Sequence, residues 1–279
     1  MINFNLPDFY NNLKINTFFK NLSRLKQEYF KFPVNFYCFT GNLPYSFFSG
    51  GYNINKKYEK MNTECINLQL DIPICFNCSN INLNENDFYD NKLKTILDNN
   101  KNGSNFIEIS NFDFLKFLKN NYGKYYNYIL SSEINLLKEL TSEEINILLE
   151  TDNFKYISLT QKQSMDFVFL EKIKQKNKIE ILINSDCDMK CKNWDKCRIE
   201  QHDAIYEFST KNSYQSCFYQ SNTNIPIEVI NEKYVPLGFN HFKLSSVGKT
   251  EKEYFIFLLN YFIKEEYKIE VCKRYYDNY

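Results

Sequence analysis

The stretch Lys178-Ile-Glu-Ile-Leu-Ile183 is an apolar run of strand length, and Asn184-Ser-Asp-Cys187-Asp-Met-Lys-Cys191 follows it directly. A short apolar run bounded by polar residues is typical of a buried strand. Chemistry in β/α barrels gathers at the carboxyl ends of the strands. The stretch therefore predicts a buried strand with a functional site at its end.

Similar runs alternate with helical patterns along most of the chain. Strands are predicted at 34–40, 72–78, 106–109, 126–130, 156–159, 178–183 and 239–244. Helices are predicted at 8–31, 87–97, 112–120, from 141 onward, at 165–175 and at 251–264, and the helix from 141 opens with the capping pattern Thr141-Ser-Glu-Glu144. This alternation predicts a parallel sheet, and a closed barrel accommodates the number of units better than an open sheet.

The predicted fold class is α/β, with a single (β/α)8-type (TIM-like) barrel that is either regular or incomplete and distorted. Phe9, Leu13, Phe18 and Leu22 recur at near-helical spacing before Pro33. We therefore expect residues 1–33 to form an N-terminal helical extension and residues 34–279 to form the barrel domain that carries the cysteine cluster.

Bulk properties exclude some classes of protein. Lys and Arg number 34, as do Asp and Glu, so no net charge attracts nucleic acid or an anionic membrane. No apolar run approaches the roughly 18 residues of a membrane span, and residues 1–19 lack a secretory signal pattern. We expect a cytoplasmic protein without a membrane span or a general nucleic-acid-binding surface.

Four of the nine cysteines form a candidate metal site. Cys187, Cys191 and Cys197 lie within eleven residues, and Cys217 follows. Thiolates favour zinc or iron-sulfur clusters. The third cysteine comes too late for the CxxxCxxC pattern of radical S-adenosylmethionine enzymes, and the spacing is not that of paired zinc knuckles. His202 is an alternative fourth ligand.

Other residues carry weaker functional hypotheses. His202, Asp186 and Lys243 are the candidate catalytic residues; Lys243 would bind an anion at the barrel mouth, and His241 is a weaker candidate. Cys75 and Cys78 form a CxxC pattern within a predicted strand, which favours burial in the core over zinc or redox chemistry.

Short segments in a consistent order resemble the peptidase U-32 family, also called collagenase-like peptidases. Its characterised relatives include iron-sulfur hydroxylases that act on ubiquinone precursors and on RNA. The segments are Gly50-Gly51, Ile72-Pro73, Ser79-Asn80, Asp90-Asn91, Ile181-Leu-Ile-Asn184 before Cys187 and Cys191, His202, Ile225-Pro226 and Phe242-Lys243-Leu244.

The resemblance implies a β/α-barrel with a 4Fe-4S cluster. Cys187 and Cys191 match the family's ligands best and Cys217 matches a later one, whereas Cys197 lies in an apparent insertion. Tyr52 replaces the arginine that usually follows the glycine pair. The Gly-Arg that usually follows the last strand is replaced by Ser246-Val247, and Lys192 stands in place of a proline. The missing arginines imply a different substrate or a lost activity.

Two functions remain open on this reading. The first is an iron-sulfur oxidoreductase or hydroxylase-like enzyme acting on a small molecule, a peptide or RNA. The second is a non-catalytic barrel that binds a peptide or protein partner and holds a structural zinc or iron-sulfur site. Peptidase activity is disfavoured because neither a nucleophile-base pair nor an HExxH helix is present in the sequence.

Overall fold

A computed structural model describes residues 1–42, 71–80, 83–136, 138–185, 223–245 and 250–278. Within them, ten strands are formed. These are β1 (Ile2–Leu6), β2 (Val34–Asn42), β3 (Ile74–Cys78), β4 (Phe106–Ile109), β5 (Asn127–Leu130), β6 (Tyr156–Ser158), β7 (Ile179–Leu182), β8 (Asn184–Ser185), β9 (Thr223–Asn224) and β10 (His241–Lys243).

Eight of these strands close into a barrel in the order β1-β10-β7-β6-β5-β4-β3-β2. Every neighbouring pair is parallel, and β1 pairs with both β2 and β10 to complete the ring. Because all strands run in one direction, their carboxyl ends lie together at one end of the barrel, which we call the mouth. The prediction of a closed parallel barrel is confirmed.

Helices flank the barrel. They are α1 (Phe9–Leu25), α2 (Asn91–Asn99), α3 (Phe112–Tyr122), α4 (Ser142–Thr151), α5 (Gln161–Met165), α6 (Phe167–Glu171), α7 (Ile227–Val229), α8 (Val235–Leu237), α9 (Glu251–Phe262) and α10 (Lys268–Asn278). The Thr141 hydroxyl accepts the amide of Glu144, whose side chain accepts the amide of Thr141 in return. This capping box confirms the predicted start of α4.

The outer and inner faces of the barrel are buried in two different clusters. Side chains such as Phe4, Phe36, Ile107, Ile181 and Phe242 pack in the large core between the barrel and its helices. A second, smaller cluster fills part of the barrel interior and contains Cys38, Cys75, Phe106, Ile129 and Tyr156, with Tyr37 against it. Alternation along the strands separates the two sets, since successive side chains point to opposite faces. Tyr37 and Cys38 are the exception, because the pairing of β2 with β1 shifts register between Phe36 and Cys38.

The first barrel strand comes earlier than we expected. Residues 1–33 were predicted to be a helical extension, but Ile2–Leu6 is β1 and α1 is the helix that follows it. Helix α1 ends at Leu25, before the predicted end at residue 31. The mixed sequence Ile-Asn-Phe-Asn-Leu alternates apolar and polar residues, and this pattern places Asn3 and Asn5 inside the barrel and Phe4 outside it.

Two short strands extend the mouth between β7 and β10. Strands β8 and β9 pair antiparallel, with Ser185 opposite Thr223. The Asn184 amide donates to the Ser245 carbonyl oxygen and accepts the Ser245 amide, both at 2.7 Å. The ends of β7 and β10 are thereby joined. No helix within the described ranges is long and apolar enough to cross a membrane.

Candidate functional site in the barrel interior

Lys243 and Glu108 form an ion pair that spans the barrel. Lys243 ends β10 and Glu108 lies in β4, which is the opposite strand in the ring of eight. The Lys243 Nζ atom lies 2.6 Å from Glu108 Oε1 and 2.5 Å from Oε2. The Glu108 side chain is 3% exposed and the Lys243 side chain 18% exposed. The lysine is therefore the member of the pair that can be reached from solvent.

The charge state of Lys243 follows from this pairing. Burial disfavours its ammonium form, but the Glu108 carboxylate, with Glu180 beyond it, raises the pKa of Lys243 above its ordinary value. The side chain is therefore a cation and a hydrogen-bond donor at neutral pH. It cannot act as an amine nucleophile without first losing its proton.

Glu180 on β7 is the second interior carboxylate. It is fully buried. Its Oε1 accepts hydrogen bonds from the Tyr37 hydroxyl at 2.6 Å and the Asn5 amide at 3.2 Å, and its Oε2 accepts from the Ser158 hydroxyl at 2.5 Å. The Thr40 hydroxyl donates to the other end of the Asn5 amide. The network joins β1, β2, β6 and β7, which are four of the eight strands of the ring.

Two interior thiols lie beside these charges. Cys38 and Cys75 are fully buried. Burial raises the pKa of the Cys75 thiol well above its ordinary value, and a hydrogen bond with Cys38 raises it further. Both cysteines are free thiols. Cys75 is therefore held in its protonated, unreactive form.

The CxxC pattern of Cys75 and Cys78 does not form a joint site. Cys75 belongs to the cluster inside the barrel, whereas Cys78 belongs to the core outside it. Three positions along a strand reverse the side-chain direction. The prediction that both cysteines are buried in the core is confirmed, because neither is exposed.

His241 lies deeper in the barrel than Lys243, two residues earlier on β10. Its ring lies 4.4 Å from the Tyr156 ring and 5.1 Å from the Tyr37 ring, centroid to centroid. Burial, helped by the charge of Lys155, lowers the pKa of His241 to about 4. The imidazole is therefore neutral at physiological pH.

Small polar residues surround the mouth above this interior. They follow or end six of the barrel strands and are Ser79 and Asn80 after β3, Ser110 after β4, Ser131 after β5, Thr160 after β6, Asn184 after β7 and Ser245 after β10. All but Ser245 are buried. The Ser110 hydroxyl has no hydrogen-bond partner among the described residues. The part of the mouth formed by these described residues is therefore polar and uncharged.

Most of the predicted site lies outside the described residues. This applies to Cys187, Cys191, Cys197, Cys217, Asp186 and His202, and also to Tyr52, Ser246 and Val247. Among the side chains that the structure describes, no group of three His, Cys, Asp or Glu residues comes together to hold a metal ion. Of the three candidate catalytic residues, Lys243 is the one the structure places, and its ammonium binds an internal carboxylate.

The carboxylates of Glu108 and Glu180 were missed in the sequence. Each stands in the middle of an apolar strand, in Phe-Ile-Glu-Ile and in Ile-Glu-Ile-Leu. A carboxylate at a buried strand position needs a cation or several hydrogen-bond donors. A charged residue in the middle of an otherwise apolar strand was therefore the sequence feature that could have identified both glutamates.

Comparison of the chain with family models, with curated proteins and with solved structures finds no significant match to any of them.

Proposed function

We propose that this chain is an iron-sulfur protein with a (β/α)8-type barrel, and that its cluster serves an oxidoreductase or hydroxylase-like reaction at the mouth. One observation carries the proposal. The segment with the four clustered cysteines leaves the described chain after Ser185 and returns at Thr223, and these two residues are paired beside the ends of β7 and β10. The described residues on both sides of the cysteine-containing segment therefore lie at the mouth.

The donor set fits a cluster. Cys187 follows the paired Ser185 by two residues, and Cys191, Cys197 and Cys217 lie in the same segment. Four thiolates are the usual ligands of a 4Fe-4S cluster, with zinc as the alternative metal and His202 as the alternative to Cys197. A bound cluster would supply electron transfer. The resemblance of the segment order to the peptidase U-32 family supports the same assignment.

The barrel interior supplies the rest of the proposed site. Lys243 presents an ammonium group near the mouth, and Glu108 fixes its position and protonation. Helices follow β1, β3, β4, β5, β6 and β10 in the chain, which supports a β/α repeat around the ring. Parallel barrels with this repeat carry their active sites at the carboxyl ends of the strands.

Anaerobic purification with iron and sulfide analysis tests this proposal. The full chain should be brown and hold about four irons per protein, as expected for one 4Fe-4S cluster. The Cys187→Ser/Cys191→Ser variant should be folded and free of iron. Cys272→Ser is the matched control, because Cys272 lies in α10 away from the mouth, and it should keep the iron. A colourless wild type with zinc or no metal would overturn the iron-sulfur assignment.

A non-catalytic, partner-binding barrel is the second candidate. The Lys243–Glu108 pair crosses the interior, and such a pair can simply complete the packed centre of a barrel. This candidate predicts a metal site that is needed for folding. Unfolding of the Cys187→Ser/Cys191→Ser variant at room temperature, together with no redox activity of the wild type, would favour it over an enzyme.

A further inference from the structure

The charges inside the barrel oppose the binding of an anion. Glu108 and Glu180 are two carboxylates, both held by donors. Lys243 is the one interior cation among the described residues, and His241 beside it is neutral. The three charged side chains sum to one negative charge. An entering carboxylate or phosphate would be repelled by the negative charges of both Glu108 and Glu180, whichever N–H of Lys243 it accepted.

Lys243 can still bind a neutral oxygen. An ammonium group carries three N–H donors, whereas Glu108 offers two oxygens. The remaining N–H has no partner among the described residues, and the side chain is 18% exposed. An uncharged carbonyl oxygen can accept that N–H without disturbing the ion pair. Glu108 then acts as a positioning residue that holds the donor in place.

The surroundings of the pair are also suited to a neutral ligand. Ser110 stands two residues beyond Glu108, which places it on the same face and nearer to the mouth. It is 1% exposed, and its hydroxyl is unpaired within the described chain. A buried hydroxyl without a partner loses free energy unless a ligand or water satisfies it. Ser110 can therefore accept or donate a hydrogen bond beside the carbonyl that Lys243 binds.

We propose that the mouth above Lys243 and Glu108 binds an uncharged molecule through a carbonyl or amide group, and that it rejects carboxylates and phosphates. The inference rests on the proposed function for placing substrate binding at the mouth. It adds the chemical class of the ligand, and it replaces the expectation that Lys243 binds an anion.

Two probes of equal size test the charge selectivity. Benzamide and benzoate share a ring and differ in whether the polar group is neutral or anionic. Their dissociation constants are measured by ligand-observed NMR on the anaerobically purified full chain. We expect benzamide to bind at least about tenfold more tightly than benzoate, because Glu108 and Glu180 repel the benzoate charge and one like-charge pair at close range is worth about that factor or more.

Two variants and a control test whether Glu108 and Lys243 determine this charge selectivity. Glu108→Gln removes a negative charge and frees Lys243, so benzoate should gain about tenfold in affinity. Lys243→Met should weaken benzamide by a similar factor, and if it fails to fold, Glu108→Gln/Lys243→Met is used in its place. Lys252→Met, at an exposed position of α9, should change neither constant.

The outcomes separate this inference from the proposed function. Equal or tighter binding of benzoate to the wild type, no binding of either probe, or an unchanged ratio in Glu108→Gln would overturn the ligand class. Iron content is measured on the same samples. A benzamide preference in a protein without iron refutes the cluster alone, and an iron-loaded protein without that preference refutes the ligand class alone.

Discussion

The ammonium of Lys243 on β10 reaches the carboxylate of Glu108 on β4, the strand diametrically across the barrel. The two residues lie 135 positions apart in the chain. Their contact therefore exists only when the ring has closed. It raises the pKa of Lys243, which keeps that side chain charged, and it links opposite sides of the barrel interior.

Because Lys243 and Glu108 form this ion pair, substitutions at the two positions should have non-additive effects on the free energy of unfolding. Lys243→Met leaves Glu108 buried and unpaired, so it should lower the free energy of unfolding by about 3 kcal/mol. Glu108→Gln/Lys243→Met removes both charges and should recover most of that loss. Urea unfolding followed by circular dichroism measures the cycle. If the losses of unfolding free energy in the two single variants simply added up in the double variant, the pair would contribute no coupling energy.

His241 should make stability depend on pH below neutrality. Its folded pKa of about 4 lies below the ordinary value of 6.5, so the unfolded chain binds the proton more readily. The stabilisation is complete above pH 6.5 and is lost as the pH falls towards 4, with an upper limit of about 3 kcal/mol. Unfolding curves at pH 7, 5.5 and 4 measure this effect against His241→Gln.

The variant is the internal control for the carboxylates that titrate in the same range. The difference in unfolding free energy between wild type and His241→Gln should shrink as the pH falls from 6.5 to 4. A difference that stays constant over that interval would mean that His241 titrates alike in the folded and unfolded chains.

Asn184 should matter for the cysteine segment as well as for stability. Asn184→Ala leaves the Ser245 amide and carbonyl without their partner, which should cost about 2 kcal/mol. If the segment holds a cluster, the iron content should fall too, because Asn184 joins the strand ends from which the segment starts.

A second asparagine provides the matched control for this prediction. Asn127 begins β5, at the end of the barrel opposite the mouth, and its amide donates to the Gly103 carbonyl oxygen at 3.1 Å. Asn127→Ala should lower stability and leave the iron content unchanged. Equal loss of iron in the two variants would show that iron follows overall stability rather than the mouth.

Three buried cysteines should resist alkylation in the native protein. Cys38, Cys75 and Cys78 have no exposed surface, and burial raises the pKa of the Cys75 and Cys78 thiols. Iodoacetamide should therefore modify them only after unfolding, whereas the half-buried Cys272 should react first among the four described cysteines. Peptide mass spectrometry with time measures each site. Native labelling of Cys75 at the unfolded rate would contradict the buried interior.

Much of the barrel could be predicted from local patterns. Strand β4 at Phe106–Ile109 matches its prediction residue for residue, because an apolar run there is bounded by polar residues on both sides. Strand β1 was missed, because Ile2–Leu6 contains two asparagines whose role appears only inside the barrel. Asn5 is compatible with a strand because Glu180, 175 residues away, accepts its hydrogen bond.

The candidate site was harder to predict from the sequence, because its contacts also join residues that are far apart in the chain. Lys243 was identified from its place at the end of a predicted strand, but its partner depends on which strand stands opposite. That relationship comes from the closure of the ring, and no local pattern contains it. The polar network around Glu180 likewise joins residues from four strands.

The pairing of β1 with β10 delays closure of the barrel during synthesis. Asn3 pairs with His241, so the ring stays open on one side of β1 until β10 has left the ribosome. At roughly 5 to 20 residues per second, that interval lasts on the order of ten seconds or more. Throughout it, β1 exposes an open strand edge, and the Glu108 carboxylate lacks its lysine partner. A nascent chain in this state is a natural target for chaperones that shield unpaired strands.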